Sequence, residues 1–159
     1  MDIAPTIVEV IQAMLAPGLM ISACGLLLLG MNNKYSLVVN RIRLLNEEKR
    51  KFAAKAIENE FKFNEEVRLK SITMQLDKLA YRVRLVRNAV FSYSIAVGLF
   101  VITSLVIGLG FVIHSKKAEV VVLVFFMFGM LSVLIGIIFA AIEAIKGFEI
   151  VSFEIKADE

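Results

Sequence analysis

Apolar residues fill three long blocks of the chain, and a charged segment separates the first block from the second. Residues 7–31 hold only Glu9 and Gln12 as strongly polar members, while residues 90–113 and 120–142 hold no charge at all. A helix needs about 20 apolar residues to cross a hydrocarbon core of roughly 30 Å, so each block predicts a transmembrane helix. The first block is not a secretory signal: Asp2 stands where a signal carries positive charge, and the apolar stretch is too long. It reads as a retained span.

Between the first two blocks the periodicity changes. Leu69, Ile72, Leu76, Leu79, Val83, Val86 and Val90 recur at alternating spacings of three and four, as do Tyr35, Val38, Ile42, Leu45, Lys49, Phe52 and Ala56, with Lys49 as the one polar member. That is the seam pattern of helices packed side by side. If the chain folds back on itself, the two stripes pair in opposite directions: Val38 with Val86, Ile42 with Val83, Leu45 with Leu79 and Phe52 with Ile72. The spacing predicts an antiparallel, coiled-coil-like hairpin with its turn near Lys62, in the charged stretch 58–66. No Pro or Gly occurs between Gly30 and Gly98, so the first two spans are expected to run into this stalk as unbroken helices.

Charge orients the layout. Residues 34–87 contain 14 Lys and Arg against seven Asp and Glu, and an excess of that kind marks the cytoplasmic side. The N-terminus is then outside, the short turn at His114 to Ala118 is outside, and the C-terminal tail is cytoplasmic. The expected architecture is an all-α integral membrane protein in four parts. Residues 1–33 form the N-terminal segment and first span, 34–89 the basic hairpin, 90–145 the second and third spans, and 146–159 the tail. The tail alternates Phe148, Ile150, Phe153 and Ile155 with acids, and either docks on the stalk or extends the third helix. The basic stalk is expected to meet anionic lipid headgroups. Nucleic acid is not an expected partner, because seven acids interrupt the basic residues and no nucleic-acid module is present.

Composition agrees with the pattern and narrows the chemistry. The chain is 58% hydrophobic over 159 residues with one His, one Cys and no Trp. A single Cys24 inside an apolar block forms no intrachain disulfide and no Cys-based zinc site, and no phosphate-binding glycine loop is present; Gly108-Leu-Gly110 lies within a span. No enzyme, cofactor or metal centre is expected.

The run Gln12-Ala-Met-Leu-Ala-Pro-Gly18, then Ile21-Ser-Ala-Cys-Gly-Leu26, Asn32-Asn-Lys-Tyr-Ser36 and Val39-Asn-Arg-Ile-Arg43 resembles a family of small bacterial membrane proteins known only as a domain of unknown function. The resemblance covers essentially the whole chain and is sharpest over residues 12–46. It implies a bacterial cytoplasmic (inner) membrane location and brings no activity, ligand or catalytic residue with it.

Polar groups inside a span are where function is sought first, because lipid disfavours them unless they face a bundle interior or water. Glu9 and Gln12 lie about one turn apart, and their helical face continues through Ala16, Leu19 or Met20, Ala23 and Leu27. A carboxylate mouth above an apolar constriction fits a homo-oligomeric ion channel lined by the first span. Thr6 and Glu9 equally form a T-x-x-E capping box. Pro17 removes one backbone bond and predicts a kink, as a hinge or as a packing bend. Glu143 is the second carboxylate candidate, expected to reach the interface or to pair with Lys146. Small residues at Gly129, Ser132, Gly136, Ala140, Ala144 and Gly147, and at Ser94, Gly98, Ser104 and Gly108, predict close helix approach. The competing expectation is a non-conducting scaffold or signalling protein whose stalk binds a cytosolic partner.

Overall fold

The computed structural model consists of three helices: α1 (Ile7–Ile57), α2 (Phe63–Ile113) and α3 (Lys116–Ala157). It describes residues 7–57, 63–113 and 116–157, with no strand among them. The expected turn near Lys62, Thr6 of the capping box, and His114 lie outside the described residues. All three helices are long and apolar enough to cross a membrane. At 1.5 Å per residue, the 51 residues of α1 extend about 75 Å, well over twice a hydrocarbon thickness. The apolar block at 7–31 and the charged segment that follows it are therefore one helix, and α2 likewise joins charged and apolar residues in its own 51 residues. α1 continues through Pro17, and one turn later the Ser22 hydroxyl donates to the Gly18 carbonyl at 3.3 Å. The tail extends α3, which runs helical to Ala157.

The chain divides into two compact units, the first being Met1–Met31 with Asn88–Phe139. Here α2 and α3 pack through absent side chains. A Cβ on Gly136 would lie 2.5 Å from Tyr93 Cε1, and one on Gly129 would lie 2.7 Å from Phe100 Cε1. Tyr93 and Phe100 are almost wholly buried. Between these contacts the Ser132 hydroxyl donates to the Ser92 carbonyl at 2.8 Å, and the Phe100 and Phe126 rings meet with centroids 5.5 Å apart. Partners descend on α2 as they ascend on α3, so the two helices are antiparallel. The expected stripe on α3 is thus used inside the chain at Gly129, Ser132 and Gly136. Its counterpart on α2 is not: Gly98 and Gly108 face open space, and exposed Ser94 donates to its own helix at Val90. At Gly129 and Gly136 the close approach is small-to-aromatic, because a ring fills the groove that a glycine opens, whereas at Gly110 it is small-to-small, a Cβ there lying 2.7 Å from Ala118 Cβ.

The second unit is Asn32–Arg87 with Ala140–Glu159. Val38 and Leu45 of α1 bury with Ile72 and Leu79 of α2 in one cluster, against which Ile42, Phe52, Leu76 and Val83 pack. Val86 is fully buried and Leu69 half-buried. Tyr35 departs from the expected seam, being 42% exposed. Farther along, the Arg68 guanidinium donates to both carboxylate oxygens of Glu48 at 2.9 and 3.4 Å.

Burial recurs every seven residues on each helix: Pro17, Cys24, Met31, Val38 and Leu45 on α1; Ile72, Leu79, Val86, Tyr93 and Phe100 on α2; Gly129, Gly136 and Glu143 on α3. Ser92, Ala96 and Thr103 of α2 and Val133 of α3 are buried beside these lines, while many other residues of the apolar blocks face outward. Leu19, Leu26, Leu105, Val112 and Leu123 are each more than half exposed, an apolar surface that water would penalise and lipid accepts.

The glycine contacts separate two kinds of site. Gly136→Ala drives a Cβ into the buried Tyr93 ring and is expected to destabilise the protein by about 1–3 kcal/mol, the usual scale of overpacking. Gly25→Ala, where a Cβ meets nothing within 4 Å, should leave the melting temperature in detergent unchanged or raised.

Candidate functional site

In the second unit α3 places a carboxylate, Glu143, against the other two helices, with its side chain 1% exposed. An anion removed from water must be neutralised and its lone pairs filled. α1 supplies Lys34, whose Nζ donates to Glu143 Oε2 at 2.9 Å. α2 supplies Arg82, which donates to Oε1 from Nη2 at 2.7 Å and from Nε at 3.2 Å. Both oxygens are thereby held, each by a different helix. Gly147, one turn beyond Glu143, makes the room: a Cβ there would lie 2.9 Å from Arg82 Nη2. Among the described residues, no buried side-chain nitrogen or oxygen lacks a partner.

Exposure grades the three groups. Arg82 is 20% exposed and Lys34 45%, so Arg82 is the inner cation and Lys34 the outer one. Two cations against one carboxylate leave the cluster at net +1. Fixed donors from two helices thus engage both oxygens of Glu143.

The other carboxylate candidate lies in the first unit. Glu9 sits in the first turn of α1, and its face is largely uncovered by the rest of the chain. Glu9, Gln12, Ala16, Ala23 and Leu27 are exposed, while Met20 is half-buried. Pro17, by contrast, is fully buried. Sequence reasoning assigned the basic stalk to anionic headgroups and missed the partner that Lys34 and Arg82 share. A signal for it was present: Glu143 and Gly147 stand four apart on one face of α3, so a carboxylate lies beside a gap that a large cationic side chain can fill.

A family model described as "Protein of unknown function (DUF2721)" matches residues 14–152. The chain belongs to the DUF2721 family. No curated protein and no solved structure matches it. The DUF2721 match takes in the whole cluster of Lys34, Arg82 and Glu143, together with the α1 face from Ala16 onward, whereas Glu9 and Gln12 precede it.

Removing either cation leaves Glu143 with one partner, but the two losses differ. Arg82→Met strips Oε1 of both donors in the more buried position and is expected to destabilise by about 3 kcal/mol, as breaking buried pairs does. Lys34→Met removes a half-exposed partner and should cost about 1 kcal/mol. Thermal unfolding in detergent reads the order, and equal shifts would contradict the grading by burial.

Proposed function

We propose that the protein is a homo-oligomeric, non-enzymatic ion channel or pore of the bacterial cytoplasmic membrane, with the first span of α1 lining the path. The observation that carries this reading is the exposure of Gln12 and Glu9 on a face that the chain itself leaves uncovered. A polar amide on a lipid-facing helix is unfavourable, so such a face is best covered by further copies or by water. Three spans enclose little on their own. Several copies arranged with these faces inward would form a carboxylate mouth at Glu9 and an apolar constriction from Ala16 through Met20 and Ala23 to Leu27, able to gate by dewetting. Pro17 is the point at which such a helix bends.

In this reading the second unit is a cytoplasmic, antiparallel, coiled-coil-like stalk. Supporting it, α1 partners ascend from Lys34 to Glu48 as α2 partners descend from Arg82 to Arg68. The seven-residue recurrence is the period of left-handed wrapping. A second reading, a scaffold whose stalk binds a cytosolic protein, draws on outward apolar side chains among the stalk's charges, Leu37 at 70% exposed and Leu44 at 62%.

Two measurements test the proposal. In planar bilayers the protein should pass cation current, and Glu9→Gln should reduce cation selectivity while leaving assembly intact, since Gln also serves the last position of a capping box. Absence of current across voltage, pH and divalent conditions would favour the scaffold. For orientation, a cysteine replacing Ser115 should react with an impermeant reagent on intact cells, and one replacing Asn64 should not; the reverse pattern would invert the topology.

A further inference from the structure

In the second unit α1 carries a second seam, on a side that its own chain leaves open. Asn33, Leu37, Asn40 and Leu44 recur at spacings of four, three and four, and all four are exposed. Leu37 and Leu44 each stand one residue before the buried Val38 and Leu45, about 100° round the helix. Asn33 and Asn40 each stand two residues after the buried Met31 and Val38, about 200° round it. Their seven-residue recurrence matches that of the buried line, so the four residues keep one stripe turned away from the core with Ile72 and Leu79. Leu37 and Leu44 lie beyond the apolar block, among Arg41, Arg43 and Glu47, where water is the alternative to a protein contact. The stripe ends past Leu44, where the next seam positions are Glu47 and Lys51, ion-paired to each other at 3.2 Å.

The geometry points to a second copy of this chain as the occupant of this stripe, with two α1 helices parallel and in register and Asn33 and Asn40 each facing its counterpart. Self-complementarity selects that partner. An amide both donates and accepts, so Asn opposite Asn satisfies both side chains, and a polar residue within an apolar seam fixes register in this way. Copies inserted alike in one membrane share one orientation, so a stripe common to both meets itself in parallel. The flanking charges suit that arrangement. In a parallel pair, the residue just before an apolar seam position meets the residue five farther along the other helix. Arg43 then meets Glu48 of the second copy and Ser36 meets Arg41, one pair opposite in charge and neither alike. Glu48 already accepts from Arg68 at 2.9 Å, and a carboxylate has lone pairs for a further donor.

This interface rests on the homo-oligomer of the proposed function and names its contact outside the apolar block; it does not depend on conduction. In isolated membranes holding the full-length protein, copper–phenanthroline oxidation should crosslink Leu37→Cys between copies, and Leu44→Cys likewise, because facing seam positions come within disulfide reach. Asn46→Cys, exposed on α1 but off the stripe, should stay monomeric, as should wild type, whose Cys24 is buried. Asn40→Asp keeps the side-chain shape and sets like charges opposite each other, so it should cut the dimer yield of Leu44→Cys several-fold. Asn46→Asp, the same charge change off the stripe, should leave that yield unchanged. Absence of crosslinking at both leucine positions would overturn the interface and return Leu37 and Leu44 to the scaffold reading. Crosslinking at one leucine alone, equal crosslinking at Asn46→Cys, or an undiminished yield with Asn40→Asp would also overturn it. Crosslinking without bilayer current would uphold the interface and remove conduction, whereas current without crosslinking would do the reverse.

Discussion

A carboxylate closed off from water must be neutralised by its neighbours, and Glu143 is the one acid of this chain buried in that way among the described residues. Its two oxygens are claimed by α1 and α2 separately, so the requirement binds three helices at one level rather than two. Sliding α3 by one turn would put Ala140 or Gly147 where Glu143 stands. The carboxylate would then lose three hydrogen bonds and two cations would face an apolar surface, a penalty of several kcal/mol. Apolar packing alone discriminates less sharply between registers, because one aliphatic side chain replaces another at modest cost. The ion cluster thereby sets the alignment on which the hydrophobic seam of the second unit depends.

Gly147 ties that constraint to the close approach of α3 and α2 within the second unit. The same helix presents Gly129 and Gly136 to Phe100 and Tyr93, and Gly147 to Arg82. In each case a large planar group on α2 enters the groove where α3 has no side chain. In lipid this close approach takes the place of a hydrophobic driving force between helices.

Much of this was legible from sequence because the signals are periodic and long. Block lengths identify the spans, the absence of Gly and Pro from Gly30 to Gly98 predicts α1 and α2 as continuous helices, and alternating three and four spacings mark Val38, Leu45, Ile72 and Leu79 as a shared core. Glu143 was harder to read, since its partners lie 109 and 61 residues away and no local spacing encodes them. Local reasoning offered the membrane interface or Lys146 at i+3. The aromatic side of the α2–α3 contact was missed for a related reason: small residues on α2 suggest packing by themselves, but Gly98 and Gly108 turn outward, and the rings at Tyr93 and Phe100 make the contact. Tyr35 left the seam, 42% exposed, because its phenol hydroxyl needs a hydrogen-bond partner that an apolar seam does not supply.

The distribution of buried positions also bears on how further copies would associate. α3 has committed Gly129, Ser132, Gly136 and Gly147 to contacts within the chain, leaving little of its small-residue stripe for another protomer. α1 is the reverse case: one residue in seven is buried, and a Cβ on Gly18, Gly25 or Gly30 would meet nothing within 4 Å. Its uncovered side bears Gln12, for which lipid is a poor environment, beside small residues that let helices come close. If protomers meet within the membrane, α1 has both the room and the polar group to make that contact. The oligomer so formed would gather the Glu9 carboxylates around the helix that the conduction proposal requires as its lining.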